Sequence, residues 1–103
     1  MEIRTRMAPS PTGELHIGAM RTSLYSYAFA KKHDGNFILR IEDTDRDRYV
    51  EGAIERLKEA IREYKLKWDE YYVQSQRLDI YQKHIKELIK TGNAYYCFCS
   101  QER

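Results

Sequence analysis

Between Arg6 and Thr22 the sequence reads RMAPSPTGELHIGAMRT, and Glu42 ends a later run, NFILRIE. Arg6 presents a planar fork suited to a carboxylate and Glu42 can accept from an ammonium, so the two together suit a zwitterionic substrate. They can equally bond to each other and only fix the ends of the segments that carry them. Pro9 and Pro11 fix the backbone and Gly13 relaxes it just ahead of His16. A helix beginning near His16 points unpaired N–H groups and the positive end of its dipole outward, which makes an anion site. Gly18 in its first turn leaves room for a flat or phosphorylated ligand. His16 can donate to a phosphate oxygen, with the largest benefit where charge develops during a displacement. A histidine at a helix start can also be a cap or a packing residue, and His33 and His84 are read in that way outright.

These groups need elements to hold them. Residues 2–8 form a strand candidate. Ile17, Met20, Leu24, Tyr27, Ala28 and the Lys31 stem recur with a helical period, predicting a helix over 16–32 that HDGN (33–36) stops with a glycine. The run 36–42 reads as a short buried strand. Strand, helix and strand in this spacing predict a parallel βαβ unit. Ligands of such sheets bind beyond the carboxyl ends of the strands, where Arg6, Ala8 and Glu42 lie. Val50, Ala53, Ile54, Leu57, Ile61 and Tyr64 predict a second helix over 50–65 whose other face is solvated. Residues 67–73 are a linker or short strand. A third helix is predicted over 75–91, capped by Ser75, with Leu78, Tyr81, Ile85, Leu88 and Ile89 buried and Gly92 at its end. AYYCFC (94–99) reads as the start of a strand or a metal knuckle. The fold class is therefore α/β: a parallel βαβ unit with two further helices.

The composition fits a folded globular chain: 103 residues, 42% hydrophobic and 33% charged, with both signs interspersed. No apolar run approaches the ~20 residues that span a bilayer, and the N-terminus lacks the apolar core of a secretory signal. A cytoplasmic location is the default expectation. The formal charge is +2 without a basic block, which neither establishes nor excludes nucleic-acid binding. Cys97 and Cys99 are one residue apart, poor spacing for a structural disulfide and better spacing for half a metal site. Asp43 and Asp45 could suggest a magnesium pair but are read as pairing locally with Arg46 and Arg48.

PSPTGELHIG (9–18) resembles the HIGH-type signature of class I aminoacyl-tRNA synthetases in the form carried by glutamyl-tRNA synthetases. FILRIEDTDRDR, LKWDE and QSQRLDIYQKHIKELIKTGNAYYCFCS resemble the same family in the same order, so the similarity covers essentially the whole chain. It implies the N-terminal half of a Rossmann-like class I catalytic domain: a partial nucleotide-binding domain over 1–103, with about 93–103 beginning the insertion that handles the tRNA acceptor end. It also implies activation of glutamate by ATP, with magnesium, to glutamyl-adenylate and transfer to tRNA, with no membrane and no DNA involved. By matching positions, Arg6, Met7, Ala8, Ser10 and Glu42 hold glutamate. Pro9, Ser10, Thr12, Gly13, His16, Gly18 and Ala19 surround ATP, His16 and Gly18 being the catalytic positions, and Arg48 supports the loop after the second strand. Cys97 and Cys99 match a Cys-x-Cys pair that supplies two of four zinc ligands in some members, and a four-ligand site is not expected within one copy of this sequence.

Three departures qualify the resemblance. Ala19 replaces the second histidine of the signature, the segment after WDE is short, and the lysine-rich second signature is missing. The alternatives are a paralogue that glutamylates queuosine in tRNA(Asp), and a non-catalytic truncated nucleotide-binding module. PSPTG, EDTDRDR and MRTSL favour the glutamyl synthetase over the paralogue.

Overall fold

The computed structural model describes residues 2–13 and 15–100. Strands β1 (Arg4–Met7), β2 (Asn36–Ile41) and β3 (Glu70–Val73) form one parallel sheet in the order β1-β2-β3. Helix α1 (Ile17–Lys32) joins β1 to β2, and α2 (Ala53–Glu63) joins β2 to β3. A 3-10 turn (Gln74–Arg77) leads from β3 into α3 (Leu78–Lys90). The expected parallel βαβ unit is present, and the stretch 67–73 ends in a true strand.

β2 is the central strand, and its alternation sets the two faces of the sheet. Phe37, Leu39 and Ile41 are fully buried, whereas Asn36, Ile38 and Arg40 are half-buried on the opposite face. The buried set packs with Met20 and Ala30 of α1 and Leu57 and Ile61 of α2 in one core cluster. Each fully buried side chain of this kind contributes about 1.5–3 kcal/mol.

α1 has the expected period but a different seam. Met20, Ser23 and Ala30 are buried, with Tyr27 set edge-on against Phe37, while Ile17, Leu24 and Ala28 are exposed. Ser23 reaches the seam because its hydroxyl donates to the Ala19 carbonyl (2.8 Å), which removes the penalty of burying it. Its small side chain lets the helix lie close to the sheet. Asp34, not Gly35, takes the left-handed conformation that ends the helix (φ +51°). Gly35 is required for another reason: a Cβ there would lie 2.4 Å from the Ile3 carbonyl oxygen.

α2 starts after Gly52, whose φ is +73°, so Val50 lies outside it and the helix is shorter than the predicted 50–65. Ala53, Leu57 and Ile61 are buried at i, i+4 and i+8, and Tyr64 is exposed.

The prediction for α3 fails on two points. Ser75 does not cap it, because it sits inside the 3-10 turn and bonds to Asp43. The predicted buried face is not buried: Leu78, Ile85 and Leu88 are exposed and Tyr81 and Ile89 half-buried, for no layer covers that side of α3 among the described residues. Residues 94–100 follow without regular secondary structure, so no strand begins there. The accessible surface is 8245 Å², against the roughly 6,100 Å² of a compact monomer of this mass. The radius of gyration is 16.5 Å, where a compact chain of this length has about 13 Å.

Candidate functional site

The loop from Pro9 to Gly13 is tied down on both sides. Glu42 N–H donates to the Pro9 carbonyl (2.9 Å) and Val50 N–H to the Pro11 carbonyl (3.0 Å), while Thr12 N–H closes a tight turn on Ser10 O (2.9 Å). Pro11 is fully buried. Two prolines supply no N–H of their own, so their carbonyls are the groups through which the loop is anchored. The bond from Glu42 joins the carboxyl ends of β1 and β2 directly.

His16 is the N-cap of α1. Its Nδ1 accepts from Ala19 N–H at 3.2 Å, and its carbonyl accepts from Ala19 and Met20 N–H. The N–H groups of Ile17 and Gly18 are then the donors at the helix start without a partner among the described residues. Accepting through Nδ1 places the proton of the neutral ring on Nε2, so His16 caps the helix and still keeps a donor. The cap and the phosphate-donor readings are therefore compatible. Gly18 acquires a different reason from the predicted one. A Cβ there would sit 3.0 Å from His16 Nδ1, so the space over Gly18 is filled by the His16 ring rather than kept for a ligand.

Two adjoining cavities flank this loop. One, of about 230 Å³, is lined by Arg6, Met7, Ala8 and Pro9 from β1 and the loop, with Ala19, Thr22, Ser23 and Ser26 from α1. The other, of about 250 Å³, is lined by Pro9, Ser10, Thr12, Gly13, Leu15, His16, Ala19 and Leu57. Pro9 and Ala19 border both. Met7 is also a core residue, 8% exposed.

The mutual Arg6–Glu42 salt bridge does not form. Arg6 has no ion-pair partner among the described residues, and the Glu42 carboxylate lies 3.9 Å from Arg40. Register explains the separation: Arg6 pairs with Ile38 on β2, while Glu42 follows the end of that strand.

The loop after β2 is held by acids. Asp45 accepts from Arg48 Nε (2.6 Å) and from its N–H (3.3 Å), and these bonds hold the Asp45 carboxyl below the ordinary range. Arg48 thus stabilises this loop locally. Asp43 differs from expectation, since its partner is not an arginine. It is buried and accepts from Ser75 N–H (2.9 Å) and Ser75 Oγ (2.6 Å). Burial pushes the Asp43 carboxyl up, but the Ser75 bonds and the nearby Arg46 outweigh it and keep it below its usual value. Both carboxylates are committed to protein donors, which argues against a magnesium pair here. Asp43 and Ser75 are 32 positions apart, and no local pattern marks them as partners.

Cys97 and Cys99 are exposed and not joined by a disulfide. Hydrogen bonds from Cys99 lower the Cys97 thiol below its ordinary value. Among the described residues no third His, Cys, Asp or Glu gathers with them, so a four-ligand zinc site does not fit this chain alone. No helix among the described residues is long and apolar enough to cross a membrane.

Comparison with known proteins gives consistent results. The profile of tRNA synthetases class I (E and Q), catalytic domain, matches residues 2–103. A glutamate–tRNA ligase of Clostridioides difficile is 50% identical over 125 aligned residues, covering 100% of this chain and 24% of the relative. That of Finegoldia magna is 53% identical, covering 99% of this chain and 25% of the relative. A crystal structure of a glutamate tRNA ligase from Elizabethkingia meningosepticum, in complex with its amino acid, superposes with a TM-score of 0.92 at 46% identity. It covers 99% of this chain and 22% of that one. The chain spans about a quarter of the length of the curated relatives it matches.

Proposed function

This chain belongs to the family of class I tRNA synthetases (E and Q), catalytic domain, and we propose that it forms one wall of the active site of a glutamate–tRNA ligase. The whole enzyme joins glutamate to ATP, releases pyrophosphate, and transfers the glutamyl group to the 3′ end of tRNA. The observation that carries this reading is the Pro9–Gly13 loop, bonded to Glu42 and bordering two adjoining cavities. One suits an amino acid at Arg6–Ala8 and the other a nucleotide at Ser10–Ala19.

In the activation step a carboxylate oxygen of glutamate attacks the α-phosphorus of ATP. One oxygen–phosphorus bond forms as the bond to the β-phosphate breaks, and pyrophosphate carries away the displaced electron pair. The reacting α-carboxylate must stay free, so Arg6 is assigned to the distal carboxylate and Glu42 to the ammonium. The N–H groups of Ile17 and Gly18, without a partner among the described residues, and His16 Nε2–H are assigned to the phosphates, where they stabilise charge that grows during displacement. Magnesium, when bound with ATP, would supply charge neutralisation at the phosphates, and no ligand for it is assigned in this chain. Residues 93–103 are assigned to the start of the acceptor-end insertion, and zinc, where an enzyme of this family holds it, needs two ligands from outside this chain. The place of action is the cytoplasm.

Glutamate-dependent exchange of pyrophosphate into ATP tests the reading in the polypeptide extended through the residues that follow Arg103 in its gene. Exchange is expected with glutamate and not with glutamine. Exchange independent of the amino acid, or none in the extended protein, would overturn it.

A further inference from the structure

A cavity of about 480 Å³, larger than either beside the Pro9–Gly13 loop, lies at the opposite end of the sheet. It is lined by Arg62 from the last turn of α2 and by Lys65, Leu66, Lys67 and Trp68, which lead into β3. Because the strands are parallel, the entry to β3 lies at their amino ends and the loop after β1 at their carboxyl ends. The cavity shares no residue with the two around His16.

Its wall carries three positive charges and no acid. Arg62, Lys65 and Lys67 have no ion-pair partner among the described residues. The acids nearby are committed elsewhere. Asp69 accepts from Lys31 Nζ (2.8 and 2.7 Å) and from the Phe37 N–H (2.7 Å). Glu55, whose carboxyl the Arg62 charge also lowers, is bonded to Lys58 (2.8 Å), and Glu63 borders a separate cavity with Gly13 and Leu15.

Between the charges the wall is apolar and flat. Leu66 is buried and Trp68 half-buried, and the Arg62 guanidinium lies 5.3 Å from the centre of the Trp68 ring. Indole and guanidinium planes both serve as stacking surfaces for a nucleobase. Lys65 has left-handed backbone (φ +58°), a conformation ordinarily left to glycine or asparagine after a helix. Its N–H closes on the Arg62 carbonyl (2.8 Å) and the Leu66 N–H on the Ile61 carbonyl (3.2 Å), which fixes the turn. A lysine is thus carried at the cavity wall where a glycine would be unstrained.

We propose that this cavity binds a free nucleoside monophosphate, its base against Trp68 and Arg62 and its phosphate between Lys65 and Lys67. The volume falls within the range of small-molecule sites, roughly 300–1,000 Å³. The unbalanced charge calls for an anion, and ammonium groups hold phosphate as point charges. The indole and the buried leucine call for a flat apolar body, which an inorganic anion lacks. The whole lining comes from residues 62–68, one turn of chain, which suits a single nucleotide. A nucleic-acid strand needs instead a groove that tracks its backbone. This site does not depend on the assignment of glutamate activation.

Trp68 is the only tryptophan of the chain, so its fluorescence reports on this wall alone. Titration with AMP is expected to change that fluorescence saturably, with a dissociation constant below about 1 mM. Adenosine and inorganic phosphate should each bind at least ~10-fold more weakly than AMP. Lys65→Gly should leave the melting temperature unchanged or raise it, since the left-handed turn is relieved, yet weaken AMP roughly tenfold. Lys67→Met should weaken AMP to a similar extent. Lys86→Ala, which removes the same charge from an exposed position on α3, should leave the affinity unchanged. A change without saturation, or equal losses from Lys86→Ala and the two wall variants, would overturn the site. Phosphate binding as tightly as AMP would overturn the nucleotide assignment. An RNA trinucleotide of adenylate binding more tightly than AMP would overturn the free mononucleotide in favour of a strand.

Discussion

The βαβ unit and the α3–tail region carry apolar residues with equally regular spacing, yet one buries them and the other does not. Phe37, Leu39 and Ile41 are fully buried between the sheet and its helices, while Leu78, Ile85 and Leu88 stand exposed and the tail exposes Tyr95, Tyr96 and Phe98. α2 and α3 are both amphipathic, but α2 lies between two strands that pair with each other and α3 follows the last strand of the sheet. An amphipathic period selects a face; it does not supply the surface that covers it. The difference separates a region that buries its own apolar residues from one that leaves them exposed among the described residues.

The largest effect should fall on the first region. Phe37→Ala is expected to cost about 3–5 kcal/mol in urea unfolding, as a large buried side chain leaves a cavity. Ile85→Ala, on a half-exposed position, should stay within about 1 kcal/mol. Equal losses would mean that α3 is packed in solution and would break the comparison.

Next comes His16, at the junction of loop and helix. In the extended protein His16→Ala should slow single-turnover adenylation ~10²–10³-fold, about 3–4 kcal/mol of barrier. ATP affinity should change far less, because the Ile17 and Gly18 N–H groups remain. Loss of the cap adds about 1 kcal/mol of destabilisation. His84→Ala, whose imidazole is exposed beside Glu87, is the control. An unchanged adenylation rate would leave His16 as a cap alone.

Arg6→Ala should weaken glutamate binding by about 1.5–3 kcal/mol, the scale of a charge-assisted hydrogen bond. Arg62→Ala removes a guanidinium that lies over Trp68, away from the loop, and should not affect glutamate. Similar losses from both would point to general charge rather than a site.

The smallest effect concerns the Asp43–Ser75 link, which ties the loop after β2 to the turn before α3. The folded Asp43 pKa is depressed, so its stabilisation is complete above the unfolded value of ~3.9 and is lost as pH falls through the lower folded value. The stability advantage of the native protein over Asp43→Asn should therefore be flat at neutral pH and shrink only below about pH 4. An advantage that persists unchanged into stronger acid would show that the carboxylate charge plays no part in the link.

Much of this was written locally in the chain. The alternation of NFILRI gave β2, the i, i+4, i+8 spacing of Ala53, Leu57 and Ile61 gave the seam of α2, and Pro9, Pro11 and Gly13 marked the constrained loop before α1. Such features follow from backbone geometry over a few residues, so the sequence determined β1, α1 and β2, their parallel βαβ arrangement and the constrained loop ahead of His16. Tertiary structure decided which face of α1 meets the sheet, that Gly18 makes room for the His16 ring, and that Asp43 bonds to Ser75. It also decided that Arg6 and Glu42 form no ion pair with each other. Those outcomes depend on strand register and on contacts between residues dozens of positions apart, which no local spacing encodes.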